Sequence, residues 1–237
     1  MNWSKDMKTN RPYQHPANMA VIVVLLLVVL AGTACRTVPL AKPKAELYEP
    51  SNYSASRTYL APELVNVAVI TPEAGRNISA GHDETLNILK QIYRSELMKT
   101  HAFAVRVLDS DTLNTLTGYR KIYSDHVFSK DFFKILREQL NCQAVLLSEL
   151  TSLKTMAPMK MGWHMKLIDT DTLETIWEID EFYDAGNIHV AAAAQTYYET
   201  QLSAAFRKPD PELVLASPRL FGQYTLDSVF STLPPRK

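Results

Sequence analysis

Residues 64–71, LVNVAVIT, form an almost unbroken apolar run closed by Pro72 and Gly75. A run of this length and β-rich composition reads as a strand buried in the middle of a sheet. The period then changes. Residues 72–82 are a loop rich in Gly, Asn and Ser, and Asp83 is placed to cap the next helix. Residues 85–99 put Leu86, Leu89, Tyr93 and Leu97 on one helical face, widened by Ile88 and Ile92. That is a core-facing amphipathic helix. A strand that needs neighbours, followed by a helix that needs a sheet, commits this part of the chain to a layered α/β arrangement.

The remaining elements extend the pattern. Residues 103–109, FAVRVLD, alternate as a strand, and a polar stretch occupies 110–128. Ser129 caps a helix over 130–140, with Phe132, Phe133, Leu136 and Leu140 as its buried stripe. Strands are predicted over 144–155, 159–170 and 174–185, the last two joined by a polar DTDTLE turn as a hairpin. A helix over 189–208 is stopped by Pro209 and Pro211, and a last helix over 218–233 is ended by Pro234 and Pro235. The order is β-α-β-α-β-β-β-α-α. The predicted fold class is α/β (α+β), a single mixed sheet of about five strands with packed helices. Its first two β-α steps are candidates for right-handed parallel crossovers.

Ahead of this body stands a different kind of segment. Residues 19–34, MAVIVVLLLVVLAGTA, are uncharged and follow a polar stretch with Lys5, Lys8 and Arg11 against Asp6. They are shorter than the ~20 residues of a spanning helix. A basic start, an apolar stretch and a small-residue exit read as a secretion signal. The exit, Gly32-Thr33-Ala34 followed by Cys35, resembles the lipobox of bacterial lipoproteins. That resemblance implies cleavage between Ala34 and Cys35 by signal peptidase II, with acyl chains, palmitate among them, on Cys35. An uncleaved signal anchor is the alternative. Arg36 is not the Asp that retains such proteins in the inner membrane, so the resemblance points to the outer membrane with the domain facing the periplasm. Three divisions result: a signal peptide over 1–34, the lipidated cysteine and an extended tether over 35–63, and a periplasmic α/β domain over 64–237. The tether is punctuated by Pro39, Pro43, Pro50 and Pro62. Its Tyr48, Tyr53 and Tyr59 are expected to pack back onto the domain.

Element order and residues together resemble a family. The body is similar to periplasmic lipoprotein domains related to the curli-secretion lipoprotein (CsgG-like), the penicillin-binding-protein activator LpoB and the amino-terminal domain of TolB. The likeness is carried by VNVAVITP (65–72), HAFAVRVLDSDTL (101–113), DFFKILREQLNCQAVLLSEL (131–150) and MKLIDTDTLETIWEIDEFYDAG (165–186). It spans about residues 64–206. Where the family often has Thr-Gly in the hairpin turn, this chain has Thr172-Leu173. Long alternating hairpins like those of a secretion pore are not evident. The resemblance implies binding and assembly in the cell envelope, with no shared chemistry.

Little in the chain points to catalysis. The six histidines, His15, His82, His101, His126, His164 and His189, form no HExxH or other metal spacing. The glycines of residues 75–81 lack the spacing and the Lys-Ser/Thr of a P-loop. Cys142, between a helix and a strand, reads as an inert buried thiol. Asp180, Glu181 and Asp184 make an acidic cluster, with Asp180 and Asp184 on one strand face and Glu181 on the other, read as a solvated sheet face. Trp163 and Trp177 read as core, and His164 as a lone polar residue. With 25 basic and 25 acidic residues the chain is neutral, and loss of residues 1–34 leaves it slightly acidic. That excludes the concentrated basic face of a nucleic-acid binder.

These readings lead to a non-enzymatic, lipid-anchored binding or scaffold lipoprotein without cofactor or metal. Its partner is an envelope protein of cell-wall synthesis or of an export or secretion complex. The alternative is a subunit of a homo-oligomeric export ring or pore. Tyr119, Arg120 and Tyr123, in the polar 110–128 stretch, are the candidate partner-binding residues, because loops on a rigid scaffold often carry function.

Overall fold

The computed structural model describes residues 47–79, 81–123 and 126–236. The signal segment and Cys35 lie outside the described residues. No helix among the described residues is long and apolar enough to cross a membrane.

The body is one open mixed sheet with helices on both faces. Its strands are β1 (Tyr53–Ala55), β2 (Asn66–Ile70), β3 (Glu73–Ala74), β4 (Ala104–Leu108), β5 (Ala144–Lys154), β6 (Lys160–Asp169) and β7 (Thr175–Asp184). Its α-helices are α1 (Asp83–Lys99), α2 (Ser110–Thr117), α3 (Lys130–Leu140), α4 (Ile188–Tyr197), α5 (Leu213–Ala216) and α6 (Pro218–Phe230). The sheet order is β1-β7-β6-β5-β2-β4, with β3 paired to β5. β2 is parallel to both β4 and β5, while β5-β6-β7 is an antiparallel meander. The crossover half and the hairpin half of the sequence therefore meet on β5.

Period-two burial divides the sheet into two faces. The inner face carries Leu146, Leu150, Trp163, Met165, Leu167, Trp177 and Ile179, packed with α1, α4 and α6 in one apolar core. The outer face carries Ala68, Ile70, Leu108, Val145 and Leu147, packed with α2 and α3. Helix α1 sits on the inner face through Leu89, Ile92, Tyr93 and Leu97, while Leu86 and Ile88 remain at its margin. A Cβ at Gly222 of α6 would come within 2.4 Å of Leu89 Cδ2, so the absence of a side chain there lets α6 approach α1 closely. The indole N–H groups of Trp163 and Trp177 donate to Thr225 and Thr232 at 3.1 and 3.0 Å. These two bonds fix the axial position of α6 and the residues just after it over the sheet.

Several elements differ from the sequence reading. Asp83 is the first residue of α1 rather than its cap. The cap is His82, which makes no side-chain cap bond. Helix α2 occupies part of the stretch expected to be polar loop. It contains Thr, Asn and Ser, weak helix formers, and is made by its ends. Asp109 accepts from the Thr112 amide at 2.8 Å, Gly118 closes it at φ 79°, and Leu113 is buried between them. The helix expected over 189–208 is α-helical only to Tyr197, then widens to a π turn over Tyr198–Leu202. Consecutive residues of an α-helix point about 100° apart. Both Tyr197 and Tyr198 are nevertheless buried at this junction. In the hairpin turn, Leu173 takes the left-handed conformation at φ 63°. Its side chain packs at the margin of the outer core. This is where the resembled family often has glycine.

Residues 47–63, assigned by sequence to the tether, lie against the body. β1 pairs antiparallel with β7, Leu60 and Leu64 are buried, and Arg236 donates to the carbonyls of Ala102 and Pro62. Tyr48 packs edge-on against Tyr183 at 5.5 Å, whereas Tyr53 and Tyr59 stay exposed.

The β5–β6 ladder shifts register between Leu150 and Ser152. Opposite the shift, a Cβ on Gly162 would lie 2.6 Å from Thr151 Oγ1 and 3.3 Å from the Ser152 amide nitrogen. Gly162→Ala is expected to lower the stability of the fold by about 1–3 kcal/mol through overpacking. A urea titration checks this, and an unchanged midpoint would show that the ladder can slide to make room.

Candidate functional site

Helices α2 and α3 cover the outer face over β2, β4 and β5, and leave the outer face of β6 and β7 without a helix. His164, Lys166, Glu178, Asp180 and Phe182 are presented there at intermediate or full exposure. Residues 118–123 and 126–128 run along the boundary of this bare area. They are held by an aromatic cluster. Tyr119 meets Phe132 edge-on at 5.7 Å, and Phe128 stacks on Phe132 at 4.4 Å. The Arg76 guanidinium lies 4.5 Å above the Tyr123 ring, a cation–π contact that ties this segment to the loop after β3. The Tyr123 amide donates to His126 Nδ1 at 3.3 Å. That nitrogen is therefore the acceptor, and a neutral His126 carries its proton on Nε2.

Between this segment and the sheet lies a cavity of about 150 Å³. Tyr123, His126 and Phe128 form its wall, Leu147 and Ile168 its apolar floor, and Glu149, His164 and Lys166 its polar end. His164 Nε2 and Lys166 Nζ lie 3.1 and 3.0 Å from Glu178 Oε1. Burial raises the Glu178 pKa, but the hydrogen bonds and charges of Lys166 and His164 outweigh it and hold the carboxyl below its usual value. Glu149, 8% exposed, sits at the polar end among apolar strand residues. An apolar, aromatic-sided pocket with one polar end suits a single anchoring side chain or a small amphipathic group. Among the described residues, no group of three or more His, Cys, Asp or Glu is arranged to hold a metal ion.

The three sequence candidates are near one another but play different parts. Tyr123 lines the cavity, Arg120 is exposed and is not among its lining residues, and Tyr119 is half-buried in the aromatic cluster that holds the segment. Ala34 and Cys35 lie outside the described residues. The cavity also uses His126, Phe128 and Glu149, which sequence reasoning missed. Glu149 did leave a signal, as a lone acid on the same strand face as Val145 and Leu147. Val127, 94% exposed, stands between two residues of the cavity wall. Cys142 is buried, donates to the Leu136 carbonyl at 3.4 Å, and has its thiol pKa pushed up by burial.

The acidic cluster separates into two environments. Asp180 and Asp184 are on the outer face, and Asp184 pairs with Lys160 at 2.8 Å. Glu181 is not part of a solvated face. It is 7% exposed at the margin of the inner core, where it accepts hydrogen bonds from the Tyr48 hydroxyl and from the amides of Ser51 and Asn52 at 2.9 and 3.1 Å. Burial and the neighbouring Glu181 carboxylate raise the Tyr48 pKa and keep its phenol a proton donor. One buried carboxylate thus gathers the backbone of residues 51 and 52 onto the β7 edge.

No family model matches the chain, and no curated protein matches it. Solved structures with similarity include the PelC dodecamer of Paraburkholderia phytofirmans, at 14% identity over 79% of this chain and 96% of that one, with TM-score 0.38. Lipoprotein GNA1162 of Neisseria meningitidis is similar at 14% identity over 52% and 85%, with TM-score 0.38. The C-terminal domain of LpoB from Escherichia coli is similar at 15% identity over 51% and 83%, with TM-score 0.34.

Glu181→Ala should free residues 47–56 from the edge. Charge-assisted hydrogen bonds of this kind contribute about 1.5–3 kcal/mol. Amide exchange at Ser51 and Asn52 is therefore expected to accelerate at least about tenfold, read by hydrogen-exchange mass spectrometry. Unchanged exchange there would show that the β1–β7 ladder alone holds the segment.

Proposed function

We propose that this chain is a lipid-anchored binding or scaffold protein of the bacterial envelope, facing the periplasm from the outer membrane and acting through protein–protein contact rather than catalysis. The apolar leader ending in Ala34-Cys35 supports the anchor. The observation that carries the binding role is the aromatic-walled cavity at the edge of a sheet face that no helix of the described residues covers. A pocket beside exposed Val127 offers an anchor site with an apolar neighbour, as protein interfaces use. The partner is an envelope protein, a cell-wall synthase or a component of an export complex.

A photo-crosslinking residue in place of Val127, in living cells, tests this. One dominant adduct with an envelope protein is expected, and intact mass should show a chain beginning at acylated Cys35. Tyr123→Ala is expected to reduce the adduct about tenfold, as the loss of an anchor contact worth ~1.4 kcal/mol would. An adduct confined to further copies of the chain, in a discrete assembly, would replace this reading with a homo-oligomeric ring. A chain that keeps residues 1–34 would overturn the lipid anchor.

A further inference from the structure

The sheet stops at β4 on the side away from β1. β4 pairs with β2 in unbroken parallel register from Asn66↔Ala104 to Ile70↔Leu108. The Ala104 amide donates to the Val65 carbonyl at 2.8 Å, and the Leu108 carbonyl accepts from the Thr71 amide at 3.1 Å. Backbone groups alternate in direction along a strand. Those of Ala104, Arg106 and Leu108 therefore face β2, and those of Val105 and Val107 face outward, where no strand of the described residues pairs. Exposed edges are commonly blunted by proline, a bulge or a covering segment. The β7 edge has such a cover in β1. β4, of sequence AVRVL, has no proline and no register shift.

Beside this edge, between α1 and β4, lies an apolar groove of about 210 Å³. Leu97, Val105 and Val107 line it, and Val107 remains 38% exposed. The rim is basic. Lys90 is engaged with Glu73 at 3.1 Å, but Arg94, on the same helix face, is exposed and makes no ion pair among the described residues. Arg106, on the other side of β4, is likewise exposed and forms no ion pair there. The acid that ends the strand, Asp109, is occupied in capping α2.

We infer that β4 receives an added strand from a protein partner: an extended segment in which apolar residues alternate with acidic ones. Its backbone pairs with the outward groups of Val105 and Val107. Its apolar side chains enter the groove against α1, and its acidic ones, on the opposite face of the added strand, meet Arg106. This rests on the binding role proposed above and adds a second contact surface and the chemistry of what it takes.

The test uses the full-length chain in detergent with two fluorescent probe peptides, a seven-residue Glu/Val alternation and its Lys/Val counterpart. The Glu/Val peptide is expected to bind saturably by anisotropy and to slow amide exchange within residues 104–108 at least tenfold. Arg106→Glu should weaken its binding at least tenfold. Val107→Pro should abolish binding, because it removes an outward amide and leaves the ladder to β2 intact. Its unchanged urea midpoint would show that the fold survives. The inference is overturned if neither peptide binds, if both bind alike, or if protection falls outside residues 104–108. It is also overturned if those residues become protected by raising the concentration of the chain alone, since the edge would then belong to a second copy. Failure here with a persisting crosslink at position 127 would leave the binding role standing and remove only this surface.

Discussion

The double pairing of β5 is the constraint on which the rest of the molecule depends. On one side β5 makes parallel ladders with β2 and β3, and on the other an antiparallel ladder with β6. Parallel neighbours require crossover helices, whereas antiparallel ones need only a turn. Both demands meet on one strand, buried on both faces from Ala144 to Leu150. The crossovers must place α1 on one face and α2–α3 on the other. The hairpins bring no helix of their own, so β6 and β7 borrow cover from the C-terminal helices. Of these, α4 and α6 supply it on the inner face alone, where Trp163 and Trp177 hold the C-terminal region by hydrogen bonds to Thr225 and Thr232.

That imbalance places the exposed features. The outer face of β6–β7 has no helix over it among the described residues, and residues 118–123 and 126–128 reach only its boundary. The cavity at that boundary arises from the same geometry: an aromatic cluster rooted on α3 at one side, and the polar row of β6 at the other. The two edges of the sheet are unequal for a related reason. The N-terminal approach to β2 has to travel beside the sheet, and Glu181 draws residues 51 and 52 onto β7 as it passes. A buried carboxylate is costly unless its oxygens are satisfied. Glu181 receives three donors from this passing segment, besides the amide of Phe182 next to it, so the segment and the buried charge stabilise one another.

The features legible in sequence are those set by periodicity. β2, β5, β6 and β7, and the helices α1 and α3, follow apolar repeats, and the capping role of Ser129 is plain in its spacing. What escaped is what depends on partners distant in the chain. β1 is three exposed residues with no pattern of its own. It exists because β7 offers an edge and Glu181 offers an acceptor. Helix α2 has too few apolar positions to announce itself and depends on Asp109, Gly118 and one buried leucine. Leu173 occupies a left-handed conformation that its own Cβ disfavours. At the site, Tyr123 and Arg120 were visible as aromatic and basic residues in a polar stretch. His126, Phe128 and Glu149 become partners only when residues 126–128 come to face β5 and β6 across the cavity, which no local pattern encodes.

Glu181 and Glu149 show why a strand charge cannot be interpreted from parity alone. Each is an acid within a strand, each is nearly buried, and they face opposite sides of the sheet. Parity assigns the side correctly in both cases, but says nothing of what lies across from it. Opposite Glu181 is a run of backbone amides that enclose it, and its role is to complete the body. Glu149 lies against the chain at Gly75, where a Cβ would come within 2.8 Å of its Oε1, and borders the cavity walled by Tyr123, His126 and Phe128. The same residue type thus closes the fold at one edge and marks a recess on the other face. What separates the two is the neighbour each meets: the approach to β2 encloses Glu181 with its amides, whereas Glu149 stands between the chain at Gly75 and the cavity.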